Sequence, residues 1–317
     1  MRIPLHAAVQ APSAASLAVE LIAVLVAVTD AQPRVMTLRG ASALPSGPFE
    51  TGHRSLQVGL REWVQQQTHH PLGTLEQLYT FADRDRVEAA RRVISISYLG
   101  LTREAPAAEA PEAEWRSWYD YFPWEDRRAG VPRLLDAVLI PRLRAWSKGN
   151  GGAASAAARK ERVAIAFGLN AYDWNEELVL QRYELLFEAG IAPEAAPERG
   201  KSGGAPGMGR AMFADHRRIL ATGIARLRAK IKYRPVVFEL MSPTFTLLQL
   251  QRSVEALAGL LLHKQNFRRL IEQQDLIEET SEMSSETGGR PAKLFRFRPA
   301  VLAERAIAGT KLPLSRT

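Results

Sequence analysis

Apolar positions fall in short blocks whose spacing changes along the chain. LAVELIAVLVAVT (17–29) is almost continuously apolar, and QPRVMTLRG follows a polar break, so the two read as strands joined by a turn at Asp30–Pro33. RSLQVGLREWVQQQ (54–67) changes period, because Leu56, Leu60, Trp63 and Val64 share one helical face. TLEQLYTF and RRVISISYLGLT return to strand-like patterning. Strands, a helix and more strands in mixed order predict an α+β sandwich.

The middle of the chain is less regular. EAPAAEAPEAE (104–114) reads as an acidic loop, and six aromatic residues follow between Trp115 and Trp124. That density predicts a packed covering, with a stack for an adenine or nicotinamide ring as the alternative. KGNGGAASAAA (148–158) reads as a flexible linker, RVAIAFGL as a strand, and NEELVLQRYELLFEAG as a helix stopped by Gly190. GKSGGAPGMG lacks the residue order of a P-loop and reads as a plain loop. RAMFADHRRILATGIARLRAKIK (210–232) predicts a helix with Ile219, Ile224, Leu227 and Ile231 on one face. Arg217, Arg218, Arg226, Arg228 and Lys230 leave it strongly positive, as expected of a connector or a dimer contact.

From Pro235 the pattern tightens. PVVFELM reads as a short strand. Thr246 with Gln249 three residues on forms a capping box at the head of a helix that Gly259 ends. HKQNFRRLIEQQ is a second helix, LIEETSEM and LFRFR are strands, and SSETGGRPAK is the tip between them. Helix, turn, helix and a two-stranded hairpin is the layout of a winged helix-turn-helix. Its second helix would present Lys264, Gln265, Asn266, Arg268 and Arg269 to base edges, with Phe267 and Leu270 inward. Arg290 and Lys293 on the hairpin would meet phosphates, beside a strand face made basic by Arg296 and Arg298.

Charge sharpens this division. Residues 208–317 hold 19 Lys and Arg against 10 Asp and Glu, while the rest of the chain is close to neutral. A basic rear unit behind a neutral front suggests a polyanion reader joined to a ligand domain. The chain has no cysteine, so disulfides and thiolate metal sites are excluded, and six scattered histidines predict no metal centre. The longest apolar run is too short to span a bilayer and contains Glu20, so a cytoplasmic protein with no membrane partner is expected. The expected units are a tail at 1–15, a ligand domain at 16–207 with an insertion near 104–200, a connector at 208–234 and a winged helix at 235–317.

AMFADHRRILATGIARLRAKIKYRPVVFELMSPTFTLLQLQ, NFRRLIEQQDLIEET and GGRPAKLFRFR resemble the C-terminal half of the Nudix-related, NrtR-like transcriptional regulators of NAD metabolism. LPSGPF, EQLYTFADRDR and ISYLGL resemble that family's front half, and the long addition resembles its alphaproteobacterial NadQ branch. The resemblance implies an α+β protein, with a Nudix-like α/β/α sandwich carrying an insertion and a C-terminal winged helix. It also implies a homodimer that binds double-stranded operator DNA as a repressor and senses NAD, ADP-ribose or ATP, with no required cofactor.

Laid on the Nudix pattern G-x5-E-x7-R-E-U-x-E-E-x-G-U, Gly47, Arg61 and Glu62 match, whereas His53, Gln65 and Gln66 stand at acidic positions. Pyrophosphate cleavage needs several carboxylates on one face to hold a divalent ion, so the expectation is a pocket that binds without cleaving. His53, Arg61, Tyr79, Arg84 and Arg86 are the expected nucleotide-binding residues, with Arg91 and Phe81 close by. The alternative is an active pyrophosphatase with a fused DNA-binding unit, drawing carboxylates from Glu50, Asp83 or Asp85. A winged-helix architectural protein without an effector is a further alternative.

Overall fold

The computed structural model describes residues 17–83, 87–88, 91–104, 112–149, 152–195, 207–233, 236–284 and 291–299. The first apolar run forms β1 (Leu17–Thr29), which turns at Asp30 and Ala31, both with positive φ, into the antiparallel β2 (Gln32–Thr37). Then come β3 (Ser46–Pro48), α1 (Leu56–Thr68), β4 (Leu75–Phe81), β5 (Val87–Glu88), β6 (Arg91–Leu101) and β7 (Glu114–Ser117). They build a seven-stranded mixed sheet of order β4-β6-β1-β2-β7, with β3 beside β1 and β5 beside β6. The parallel β1–β6 pair at its centre runs from Leu17 opposite Arg92 to Val26 opposite Leu101.

Alternation along β1 assigns the two faces. Leu21, Ala23 and Leu25 pack with Leu60 and Val64 of α1. Ile22, Val24 and Val26 turn to a second helical layer. That layer contains α2 (Ile140–Ser147), entered through a π-helical turn at Leu135–Leu139, α3 (Gly152–Phe167), α4 (Val179–Glu188) and α5 (His216–Tyr233). Gly223 lets α5 cross β1 closely, because a Cβ there would lie 2.9 Å from a methyl of Val24. The layers are thus α, β, α, as the resemblance implies.

The C-terminal unit has α6 (Leu247–Ala258), α7 (Lys264–Gln273), β8 (Ile277–Ser284) and β9 (Ala292–Phe297). Thr246 and Gln249 form the reciprocal capping box, and Gly259 closes α6 with φ 74°. Phe245 pairs its backbone with Phe295, and Phe238 and Phe245 pack on Phe297, which roots the hairpin on the helices.

Several expectations differ from this structure. The linker expected at 148–158 is helical from Gly152, and RVAIAFGL continues the same helix instead of forming a strand. Alanines favour the helix, and burial follows its period: Val163, Ala164, Ala166 and Phe167 are buried while Ile165 is 42% exposed. PVVFELM contains a 3-10 helix, Val236–Leu240, whose Val237 and Leu240 are buried three residues apart. The aromatic block is core rather than covering, since Trp118, Tyr121, Phe122 and Trp124 have no exposed surface. The basic helix is less positive at its surface than its sequence suggests: it is α5, inside the second layer, with Arg217 and Arg228 buried. Leu270 faces outward at 50% exposure, because α7 seats Phe267 and the residue one full turn on, Ile271. No helix among the described residues is long and apolar enough to cross a membrane.

Candidate functional site

The helix of the altered box is α1, started by Ser55, whose hydroxyl accepts from the Val58 amide. Gln67 holds it to β3 by bonding both the amide and the carbonyl of Ser46, and Trp63 Nε1 donates to the Pro48 carbonyl at 2.8 Å. Gly47 is needed where the Trp63 ring lies against it, since a Cβ there would come within 2.4 Å.

Two residues expected to bind nucleotide instead brace this helix. Arg61 donates to the carbonyls of Leu72 and Gly73, both at 2.6 Å, which fixes the loop after α1. His53 Nδ1 accepts from the Glu50 amide and Nε2 lies 3.4 Å from Glu62, with the side chain only 8% exposed. Both ring nitrogens of His53 and both terminal nitrogens of Arg61 thus have partners within this segment. Tyr79 is exposed on β4, edge-on to the buried Phe81. Arg84 and Arg86 lie outside the described residues. Of the alternative carboxylates, Asp83 pairs with Arg218 of α5 at 2.8 Å, and Asp85 is outside the described residues. Among the described residues, no three His, Asp or Glu side chains gather as a metal site would require.

A cleft of about 310 Å³ lies beside Gln66, the last of the altered acidic positions. Gln66, Gln67 and His69 from the end of α1 line it, together with Ser46, Arg39 and Glu112. His69 sits in the left-handed C-cap conformation, φ 51°, which turns the chain away from α1. Arg39 supplies the cation in the lining and stacks on the exposed Phe213 ring, 5.8 Å from its centroid. Sequence reasoning missed Arg39 because it lies in a turn, Arg39–Ala41, whose three residues all have positive φ.

That turn is held to the start of the central helix. The Phe213 amide donates to the Ser42 carbonyl at 2.6 Å, and the Leu44 amide donates to His216 Nδ1 at 2.8 Å. Tyr121 donates to the Ala41 carbonyl at 2.7 Å, and burial pushes its hydroxyl pKa up to about 12. Arg217 of α5 bonds the carbonyls of Tyr121 and Met208 and pairs with Glu194. The cleft wall and the origin of α5 therefore share one polar network.

At the other end of the molecule, Lys264, Gln265, Asn266, Arg268 and Arg269 are all exposed on α7, with Phe267 buried beneath them. Residues 237–297 match the family model described as the NrtR DNA-binding winged helix domain. The chain carries an NrtR-type winged helix. An 83-residue stretch is 41% identical to the ADPR responsive transcriptional repressor NtrR of Acinetobacter baylyi, covering 26% of this chain and 33% of that protein. The match thus spans about a third of the relative's length. NrtR of Shewanella oneidensis, solved with a 27mer DNA, superposes with a TM-score of 0.55 at 19% identity over 90% of this chain and 95% of that one. A MutT/nudix family protein from Enterococcus faecalis gives a TM-score of 0.53 at 16% identity over 91% and 89%. Both likenesses extend the shared fold across the sandwich.

Within the NrtR-type winged helix, cations differ in how they are satisfied. On the hairpin, Lys293 pairs with Glu279, Arg296 with Glu278 and Arg298 with Asp275, each at 2.6 Å. Among the described residues, Lys264, Arg268 and Arg269 of α7 have no acidic partner. The expected tip cation Arg290 lies outside the described residues. Among the described residues of this unit, α7 holds three of the cations left open to a polyanion.

The NrtR-type winged helix is also tied to the sandwich. Arg228 Nε donates to the Leu257 carbonyl at 2.9 Å, Tyr119 to that of Ala256 at 2.6 Å, and the Arg127 amide to that of Gly259 at 2.8 Å. These are the carbonyls that the end of α6 leaves without helical partners. Behind them Glu125 is fully buried between Arg182 and Arg228, both at 2.6 Å. Burial opposes its charge, but the two guanidiniums outweigh it and hold the carboxyl below the usual range. Only Gly fits at 259, where a Cβ would come within 2.3 Å of the Glu125 carbonyl.

Proposed function

We propose that the protein is a nucleotide-responsive transcriptional repressor that reads operator DNA through α7 and senses an adenine nucleotide in the cleft beside Gln66. The observation that carries the reading is the α7 surface: five exposed polar or cationic residues around one buried anchor, with the cations uncompensated. Such a helix suits a major groove, where phosphates attract it and base edges select among sequences.

The 41%-identical relative is named as ADPR responsive, which supports ADP-ribose as the effector ahead of NAD and ATP. In the cleft, Arg39 meets the diphosphate, while Gln66 and Gln67 offer amide donors where carboxylates would repel it. Without those carboxylates the pocket holds no catalytic divalent ion and the ligand leaves intact. The protein works in the cytoplasm as a homodimer on a two-fold symmetric operator.

The test is a mobility shift on the promoter DNA of NAD-metabolism genes, with and without ADP-ribose, NAD and ATP. The reading expects a salt-sensitive complex whose affinity changes with one of the three. No complex at low ionic strength would sink it. AMP release from ADP-ribose or NADH with Mg²⁺ would instead support the pyrophosphatase reading.

A further inference from the structure

The inserted helices border a larger hollow than the cleft, and the reading above does not use it. It is a groove of about 540 Å³ between α2 and α3, within the size range of small-molecule sites. The sequence explains why it is unfilled. The α3 face turned to α2 carries Ala156, Ala157 and Ala164, where larger apolar residues would normally fill a helix–helix contact. Arg159 ties α3 to the end of α2, donating to the Gly149 carbonyl at 2.8 Å and lying 5.5 Å from the centroid of the Trp146 ring.

The rim is cationic. Arg144 and Lys148 come from the end of α2 and Lys160 from the middle of α3, and the lining contains no acidic residue. Among the described residues none of the three has an acidic partner. Arg144 and Lys148 also suit the negative end of α2, but Lys160 has no such local reason to be there. Three like charges around one opening repel one another, and an anion seated among them relieves that repulsion.

We propose that this groove is a second ligand site, for a small amphiphilic anion. A phosphate or carboxylate head meets Arg144, Lys148 and Lys160, and an apolar body lies on the alanine floor. This assignment is independent of the cleft and gives the insertion a binding role.

Titration calorimetry of the full chain with 8-anilinonaphthalene-1-sulfonate, an anionic amphiphile, tests it. One saturable site is expected, displaced by octyl phosphate or octanoate but not by octanol. Displacement by octyl phosphate alone assigns the head as phosphate, and by both as either anion. Lys160→Glu is expected to weaken binding about tenfold, the loss of one charge-assisted contact. Ala157→Phe, at an exposed position, fills the groove and abolishes binding with the melting temperature unchanged. Binding unaltered in both variants, or displaced equally well by octanol, overturns the proposal.

Discussion

Arg39 shows how one side chain joins the proposed nucleotide cleft to the rest of the molecule. It lines the cleft, stacks on Phe213 and belongs to a turn bonded to the start of α5. Arg39→Ala is expected to weaken ADP-ribose binding about tenfold by calorimetry, while DNA affinity without effector stays unchanged. The neighbouring Gln66 gives a test of opposite chemistry. Gln66→Glu adds a second carboxylate to a lining that already holds Glu112. Binding in the presence of a chelator is then expected to weaken, because the added charge faces a diphosphate with no metal between them. On α7, Asn266→Ala or Arg269→Ala is expected to cost roughly 1–3 kcal/mol on the preferred operator and to flatten base preference, as measured across mutated operators.

Among elements, α5 and α6 meet at the Glu125 cluster. Glu125→Ala leaves Arg182 and Arg228 buried without their carboxylate, and chemical denaturation is expected to show a loss of about 3–5 kcal/mol. The pH dependence follows from the direction of the shift. A carboxyl held below its unfolded value contributes stability that is fully present above that unfolded value. The contribution drains away as pH falls through the folded one, and the variant loses that part of the acid limb. Legibility in the sequence divides at the same place. The capping box of α6, its Gly259 terminus and the polar face of α7 were readable, because each signal lies within a few residues of what it controls. Helix α3 was not, since Val163, Ile165 and Phe167 alternate as a strand would and only packing reveals that Ile165 is exposed. Arg217 and Arg228 looked like surface charges because the acids that satisfy them, Glu194 and Glu125, come from elsewhere in the chain. His53 and Arg61 were visible as box residues, but their role as braces depends on carbonyl and amide groups that no spacing displays.

Across the whole molecule, the uneven satisfaction of cations should appear in salt dependence. Lys264→Ala is expected to lower the slope of log affinity against log salt by about one. Lys293→Ala should lower it less, because Glu279 already neutralises that ammonium and must be displaced first. Fluorescence anisotropy over a potassium chloride series distinguishes the two, and an equal change for both would contradict the division of charge. The fastening of α6 by Tyr119, Arg127 and Arg228 carries a mechanical consequence. A reading head bolted at the last turn of its inner helix has no wrist. In the proposed homodimer, news of a bound nucleotide must then travel as a tilt of the entire body, so the span between two reading heads is governed by how their bodies lean on each other.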